Sequence, residues 1–137
     1  MSIPVDLAEL GKAVAERDFA YLVTISADGA AHLVAVRPVV VADRVRVTGL
    51  GRSTVSNAAA RPIVTLAWPP RDPDGYSLIV DGRAETDGVV GEAGGAVAIR
   101  PSRAVLHRPA PSPAPPDDPA DCGSDCVELP LSPQPQL

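Results

Sequence analysis

Apolar and polar positions along this chain change period several times, and the changes outline its elements. Leu7, Leu10 and Val14 recur at helical spacing. Asp6 stands three residues before Glu9, the spacing of a capping box, with the Asp6 side chain placed to accept the Glu9 amide. One amphipathic helix is therefore predicted over residues 7–17. Residues 19–26 are rich in β-formers, and Asp28-Gly29 follows as a hairpin-turn signal, because both residues tolerate positive φ. A second strand is predicted over 32–41, nearly continuous in valine. Asp43-Arg44 then turns the chain into a strand over 45–48, where Val45 and Val47 alternate with Arg46. Ser53 caps a short helix that runs to residue 60, and Pro62 marks its exit. A strand follows over 63–68. Residues 69–75 form a loop dense in proline, aspartate and glycine. A long strand is predicted over 76–86, with Gly82 as a bulge. Residues 89–95 read as loose and glycine-rich. A last strand covers 96–100 and 103–107, broken at Pro101. Strand-rich chains of this length form a barrel or a sandwich, and a barrel is favoured because it removes exposed edges. No internal repeat is visible.

Composition sharpens this picture. A length of 137 residues allows one domain. Hydrophobic residues make up 45% but aromatics only 3%, so the core has to be aliphatic. The net charge of −5 is uneven: residues 1–108 hold 12 basic and 12 acidic residues, and Asp117, Asp118, Asp121, Asp125 and Glu128 carry the excess. A neutral body with an acidic tail is a poor partner for nucleic acid, which needs a basic footprint. No window approaches the roughly 18 apolar residues of a membrane span, and the N-terminus lacks the basic and apolar pattern of a secretion signal, so a cytoplasmic location is expected. Nine of the 16 prolines fall at or after Pro109. Such a segment buries too little apolar surface to offset its ordering entropy, and residues 109–137 are predicted to be a disordered or loosely draped, proline-rich tail on a body of residues 1–108. Both cysteines, Cys122 and Cys126, lie in that tail with three residues between them. They read as two exposed thiols, a reversible disulfide, or two ligands to a soft metal that only a dimer would complete.

The candidate chemistry gathers at Thr48-Gly49-Leu50-Gly51-Arg52-Ser53-Thr54. A helix that begins near Ser53 presents unpaired amide N–H groups and the positive end of its dipole. Gly49 and Gly51 let backbone approach a ligand closely. The Thr48, Ser53 and Thr54 hydroxyls can donate to phosphate oxygens, and Arg37 and Arg52 supply charge and forked donors. Trp68 reads as core or as an interface anchor. His32 and His107 have no Cys, His or acid at ligand spacing. No nucleophile motif is present, and the body contains no Cys to activate.

The order of these elements resembles the flavin-binding split-barrel superfamily, the pyridoxamine 5'-phosphate oxidase-like proteins and their deazaflavin-binding relatives, over roughly residues 5–107. Four places carry the resemblance. Ala20-Tyr21-Leu22-Val23-Thr24-Ile25-Ser26-Ala27-Asp28-Gly29 looks like the first hairpin. Arg37-Pro38-Val39-Val40-Val41 is similar to the segment whose Arg contacts the flavin phosphate. Thr48 through Asn57 to Arg61-Pro62 resembles the loop and helix that cradle that phosphate, and Gly82-Arg83-Ala84-Glu85 a segment of the fifth strand. The resemblance implies a mainly β fold, a six-stranded split β-barrel with one N-terminal helix and one short inserted helix. It implies a homodimer with a cleft shared between subunits, FMN or a deazaflavin as cofactor, and a flavin- or deazaflavin-dependent oxidoreductase. Arg37, Thr48, Arg52, Ser53 and Thr54 would hold the phosphate, Ser77 would stand near the flavin ring or phosphate, and backbone over 36–39 would flank the ring. The chain departs from the family at Ala42, Thr54 and Ser56, uncharged where relatives often carry a basic residue. It also has only residues 89–95 where many relatives carry a helix. Two other readings stay open: a cofactor-free split-barrel binding protein, and a redox or metal sensor that uses the Cys pair.

Overall fold

The structure is a computed structural model that describes residues 1–111. Its strands are β1 (Ser2–Pro4), β2 (Ala20–Ile25), β3 (Ala31–Val36), β4 (Val39–Val41), β5 (Arg44–Leu50), β6 (Ile63–Trp68), β7 (Ser77–Glu85), β8 (Val90–Gly91) and β9 (Gly94–His107). Helix α1 (Leu10–Ala15) follows a 3₁₀ turn at Leu7–Glu9, and α2 (Arg52–Ala60) lies between β5 and β6. All pairings are antiparallel, in the order β3-β2-β6-β7-β9-β5-β4, with β1 and β8 both added to β9.

One chain connection forces this sheet to curl. β3 and β4 are the two ends of the strand order, yet only Arg37-Pro38 separates them in sequence. Seven flat strands would set their outer members roughly 29 Å apart at about 4.8 Å per strand. The link from Val36 to Val39 spans at most about 11 Å. The sheet therefore wraps until its edges meet at Arg37-Pro38, without hydrogen-bonding to each other. That is a split barrel, and the mainly β class with two helices is as the sequence implies.

The count of nine strands among the described residues, not six, has local causes. The single strand expected over 32–41 is two, because Pro38 has no N–H to donate to a ladder. Ser2–Pro4, which carries no alternating pattern, pairs with Val105, Leu106 and His107 of β9. Residues 89–95, expected to be loose, close a tight hairpin in which Gly91 faces Gly94. The last strand is not broken at Pro101. Pro101 pairs with Gly82 and Arg103 with Asp81, so Ser102 is the extra residue of a bulge and its hydroxyl donates to the Asp81 carbonyl at 3.2 Å. Gly82 permits this: a Cβ there would stand 2.6 Å from the Arg100 carbonyl oxygen. The N-terminal helix also opens differently, since the Asp6 carboxylate accepts from the Ala8 amide at 3.0 Å within the 3₁₀ turn. It ends where the Arg17 guanidinium donates to Ala13 O and Tyr76 O, and partial burial lowers the Arg17 pKa.

The barrel interior is aliphatic, as composition requires. Leu22, Leu66, Leu78, Val45, Val47, Val80, Val97 and Ile99 fill it, and Trp68 is a core residue at 1% exposure. Three buried polar residues stand apart from this core: Thr24, Thr54 and Asn57. Two of them fasten α2 to the barrel. Asn57 Nδ2 donates to Thr24 Oγ1 at 3.2 Å, and Arg61 donates to Asn57 Oδ1 at 3.3 Å and to the Ile25 carbonyl at 2.5 Å. This network fixes where the helix start points. Asn57→Ala would leave the fully buried Thr24 hydroxyl without a partner, a loss of about 1–3 kcal/mol. Chemical denaturation followed through Trp68 fluorescence is expected to show that loss. The exposed neighbour Ser56→Ala should stay within about 0.5 kcal/mol of the parent.

Candidate functional site

The seam at Arg37-Pro38 and the start of α2 meet in one groove of about 490 Å³, lined by Phe19, Val34, Ala35, Val36, Arg37, Thr48, Gly49, Leu50, Gly51 and Thr54. Each wall has a local origin. In β3, His32, Val34 and Val36 turn inward while Ala31, Leu33 and Ala35 face out, by strict alternation. β4 and β5 pair Val39 with Arg46, so the register carried back two residues sets Arg37 opposite Thr48. β5 then takes one extra residue against β9 between Val47 and Leu50. Gly49 (φ 70°) sits in this bulge, and Gly94 of β9 (φ 88°) backs directly onto it. Gly51 precedes α2 in extended conformation, and its carbonyl accepts the first helical bond from the Val55 amide at 3.1 Å. The first-turn amides of Arg52, Ser53 and Thr54 therefore have no acceptor within the helix.

Three of the residues singled out from the sequence line this groove: Arg37, Thr48 and Thr54, with Gly49 and Gly51 between them. Arg52 and Ser53 do not. They line a neighbouring recess of about 460 Å³ with Ser26, His32, Ser56 and Asn57. The reason is helical geometry: with Gly51 as the cap, Arg52 is the first helical residue and Thr54 the third, about 200° further round. Among the described residues only one guanidinium, that of Arg37, therefore lines the groove. Ser77 is more distant. It pairs with His107 at one end of β9, whereas the loop before α2 meets that strand through Leu50 and Gly95 near the other. Cys122 and Cys126 lie outside the described residues. His107 is held by Ser2, whose Oγ is 3.0 Å from Nδ1.

Phe19, Val34 and Leu50 were not singled out from the sequence. The signal for Val34 was present, since it shares a strand face with Val36. Phe19 lies just before its strand and stacks edge-on against Tyr21 at 5.3 Å, a contact no periodicity announces. The recess around His32 was likewise missed, because Ser26, His32 and Asn57 converge only once α2 is laid across β2. In the adjoining hairpin the Asp28 carboxylate accepts from the Ser26 hydroxyl, which holds the Asp28 pKa below its usual value. That contribution to the hairpin is present above the ordinary carboxylate range and is lost as pH falls through the lowered value.

No protein-family model matches the chain. It is 42% identical over 133 residues to "Uncharacterized protein Mb0449c" of Mycobacterium bovis, covering 90% of this chain and 93% of the relative, and equally to "Uncharacterized protein MT0457" of Mycobacterium tuberculosis. Among solved structures it resembles an "F420 Reductase" (TM-score 0.53, 22% identity, 68% of this chain and 94% of the other). It also resembles an FAD-binding protein from Mycobacterium smegmatis (TM-score 0.57, 22% identity, 79% and 100%). A heme-binding protein from the same organism has the same TM-score at 15% identity, over 74% of this chain and 54% of its own. The chain belongs to the family of the two mycobacterial proteins, and its fold is the split barrel it shares with these solved structures.

The groove's shape depends on the Gly49–Gly94 contact. A Cβ on Gly94 would meet the Gly49 carbonyl carbon at 2.7 Å and would also sit at positive φ. Gly94→Ala is expected to cost at least about 2 kcal/mol in a denaturation experiment. Gly88→Ala, also at positive φ but with open space around it, should lose distinctly less.

Proposed function

We propose that the groove between Arg37 and the start of α2 holds the phosphate of a flavin-type cofactor, FMN or a deazaflavin, and that the protein is an oxidoreductase using it. The observation that carries this reading is the convergence of one guanidinium, two hydroxyls and a glycine-rich helix start on a single groove. The donor set fits a phosphate: Arg37 supplies charge, Thr48 and Thr54 supply hydroxyls, and the first-turn amides complete a cradle in which no carboxylate among the described residues takes part. Phe19, Val34, Val36 and Leu50 give the same groove apolar wall against which a planar ring system can lie. The bound cofactor would supply hydride or electron chemistry, and this chain would bind it, orient it and keep water from part of its surface. Solved proteins of the same fold include FAD-binding and "F420 Reductase" examples, which supports the cofactor class. The contribution of Arg52 and Ser53 is through main-chain amides at the helix start.

The reading includes a homodimer in the cytoplasm. The outer face of β3, β2 and β6 is apolar and is covered by none of the described residues, with Leu33 at 55%, Tyr21 at 39% and Ile63 at 64% exposure, and Val23, Ala35 and Ala67 between them. A second copy of this chain would cover it. Among the described residues no helix is long and apolar enough to cross a membrane.

A cofactor-free binding protein is the second reading, favoured by the separation of Arg52 from Arg37 and by uncharged Ala42, Thr54 and Ser56. Titration of the purified full chain with FMN and with a deazaflavin, read by absorbance and fluorescence quenching, separates the two. The proposal expects saturable binding that Arg37→Ala weakens about ten- to a hundredfold, the value of a charge-assisted contact. Arg52→Ala should change it by no more than about twofold. Absence of binding at high micromolar cofactor would leave the cofactor-free reading. For the dimer, Leu33→Asp is expected to give a monomer in sedimentation velocity, and an unchanged assembly would remove that face from consideration.

A further inference from the structure

The outer surface of the barrel is divided. One side, on β3, β2 and β6, is apolar. The other, on β5, β9 and β7, is a field of arginines that the sequence scatters and the register collects. Val45 pairs with Ile99, so Arg44 faces Arg100, and Arg100 pairs with Arg83. The next row sets Arg46 beside Ala98 and Ala98 beside Glu85. Arg37, two residues before Val39, extends the field past the Val39–Arg46 pair. Alternation puts Arg44, Arg46, Arg83, Glu85 and Arg100 on the outer face, because Val45, Val47, Gly82, Ala84, Val97 and Ile99 are turned inward and buried, and Arg37 stands in the tether at its border. The tally is Arg37, Arg44, Arg46, Arg83, Arg100 and Arg103 against Glu85, Asp43 and Asp81, the last taken by Arg103 at 3.2 Å. Glu85 is shared by Arg44 at 3.4 Å and Arg100 at 3.5 Å, and Asp43 is taken by Arg44 at 2.8 Å. Arg37, Arg46 and Arg83 make no ion pair among the described residues. An overall neutral body thus hides a strongly basic face.

The remainder of the chain has the opposite character. Residues 112–137 contain Asp117, Asp118, Asp121, Asp125 and Glu128 and no Lys or Arg. We propose that this acidic segment docks in cis on the arginine face of β5, β9 and β7. Reach permits it. From His107 back to Arg100 along β9 is roughly 23 Å. Asp117 stands six residues past Pro111 and Glu128 seventeen, so the acidic positions reach up to roughly 20 to 60 Å from Pro111. Tethering raises the local concentration of the segment to the order of mM, so weak individual pairs suffice for occupancy. The apolar residues match as well. Arg44 and Arg100 also border a groove of about 600 Å³ between α1 and β4, walled by Leu7, Leu10 and Val40. Val127, Leu129 and Leu131 flank and follow Glu128. The docking does not rest on the cofactor reading, and a segment seated beside Arg37 would compete with an anion entering that groove.

The two cysteines make the test direct, because the body has none. In isotope-labelled full-length protein with Cys122→Ser, a nitroxide is attached at Cys126 and amide intensities are read by NMR. At about 0.01 M salt, where charges act over roughly 30 Å, amides over 44–46, 83–85 and 98–100 should lose most of their intensity. Amides of Tyr21, Leu33 and Ile63 should keep theirs. At about 1 M salt, where the range falls to roughly 3 Å, the lost signals should return. They should also return when Asp117, Asp118, Asp121 and Asp125 are replaced by Asn and Glu128 by Gln, and when Arg46→Ala and Arg83→Ala are combined. Broadening confined to residues near Pro111, broadening centred on the β3-β2-β6 face, or a pattern indifferent to salt and to both sets of substitutions would overturn the proposal. So would broadening that arises in a mixture of spin-labelled unenriched protein with enriched protein whose cysteines are both Ser, since the segment would then be seated on a second copy.

Discussion

Two residues, Arg37 and Pro38, join the opposite edges of a seven-strand order, and that short tether constrains everything else in this molecule. A flat sheet cannot satisfy it, so the sheet curls and its apolar residues turn inward. Proline then keeps the seam from zipping shut, because the chain there cannot donate to a continuous ladder. The result is a barrel with one open joint and a charged residue standing in it. Arg37 is exposed because it belongs to the tether and not to either ladder.

The helix start reaches the same joint by a different route. α2 is anchored through Asn57 to the buried Thr24 hydroxyl and through Arg61 to the backbone of β2. Its first turn is thereby aimed at the seam, and the paired left-handed glycines Gly49 and Gly94 let the preceding loop pass close to β9 without a side chain between them. Charge, hydroxyls and unpaired amides converge because three separate constraints agree: the tether, the buried polar anchor and the glycine contact. The identity of the fold and the family rests on other grounds, so a failure of the groove to bind phosphate would leave the barrel standing and remove only the oxidoreductase reading.

Much of this was legible in the sequence, and the exceptions are instructive. The hairpin at Asp28-Gly29, though only Gly29 takes positive φ, the short helix before Pro62, though its cap is Gly51 and not Ser53, the long strand with its irregularity at Gly82 and the burial of Trp68 follow from local chemistry. Arg52 was the main misplacement. Adjacency in sequence to Ser53 and Thr54 suggested a shared pocket, but on a helix the residue two positions away looks in nearly the opposite direction. Ser77 has a related explanation, since a fourteen-residue β9 separates it from the loop it was grouped with. The strand order and register could not be read from one chain, and it is register alone that gathers Arg44, Arg83 and Arg100 into one row. Short β1 escaped notice because three exposed residues carry no alternation.

The most direct test of the central claim is amide chemical-shift mapping of the isotope-labelled protein as FMN is added. The account predicts that the largest shifts fall on Arg37, Thr48, Gly49, Gly51 and the first-turn amides 52–54, while His32, Ser56 and the outer β3-β2-β6 face change little. Shifts centred on the His32–Ser56 recess, or spread evenly with no maximum at the seam, would contradict it.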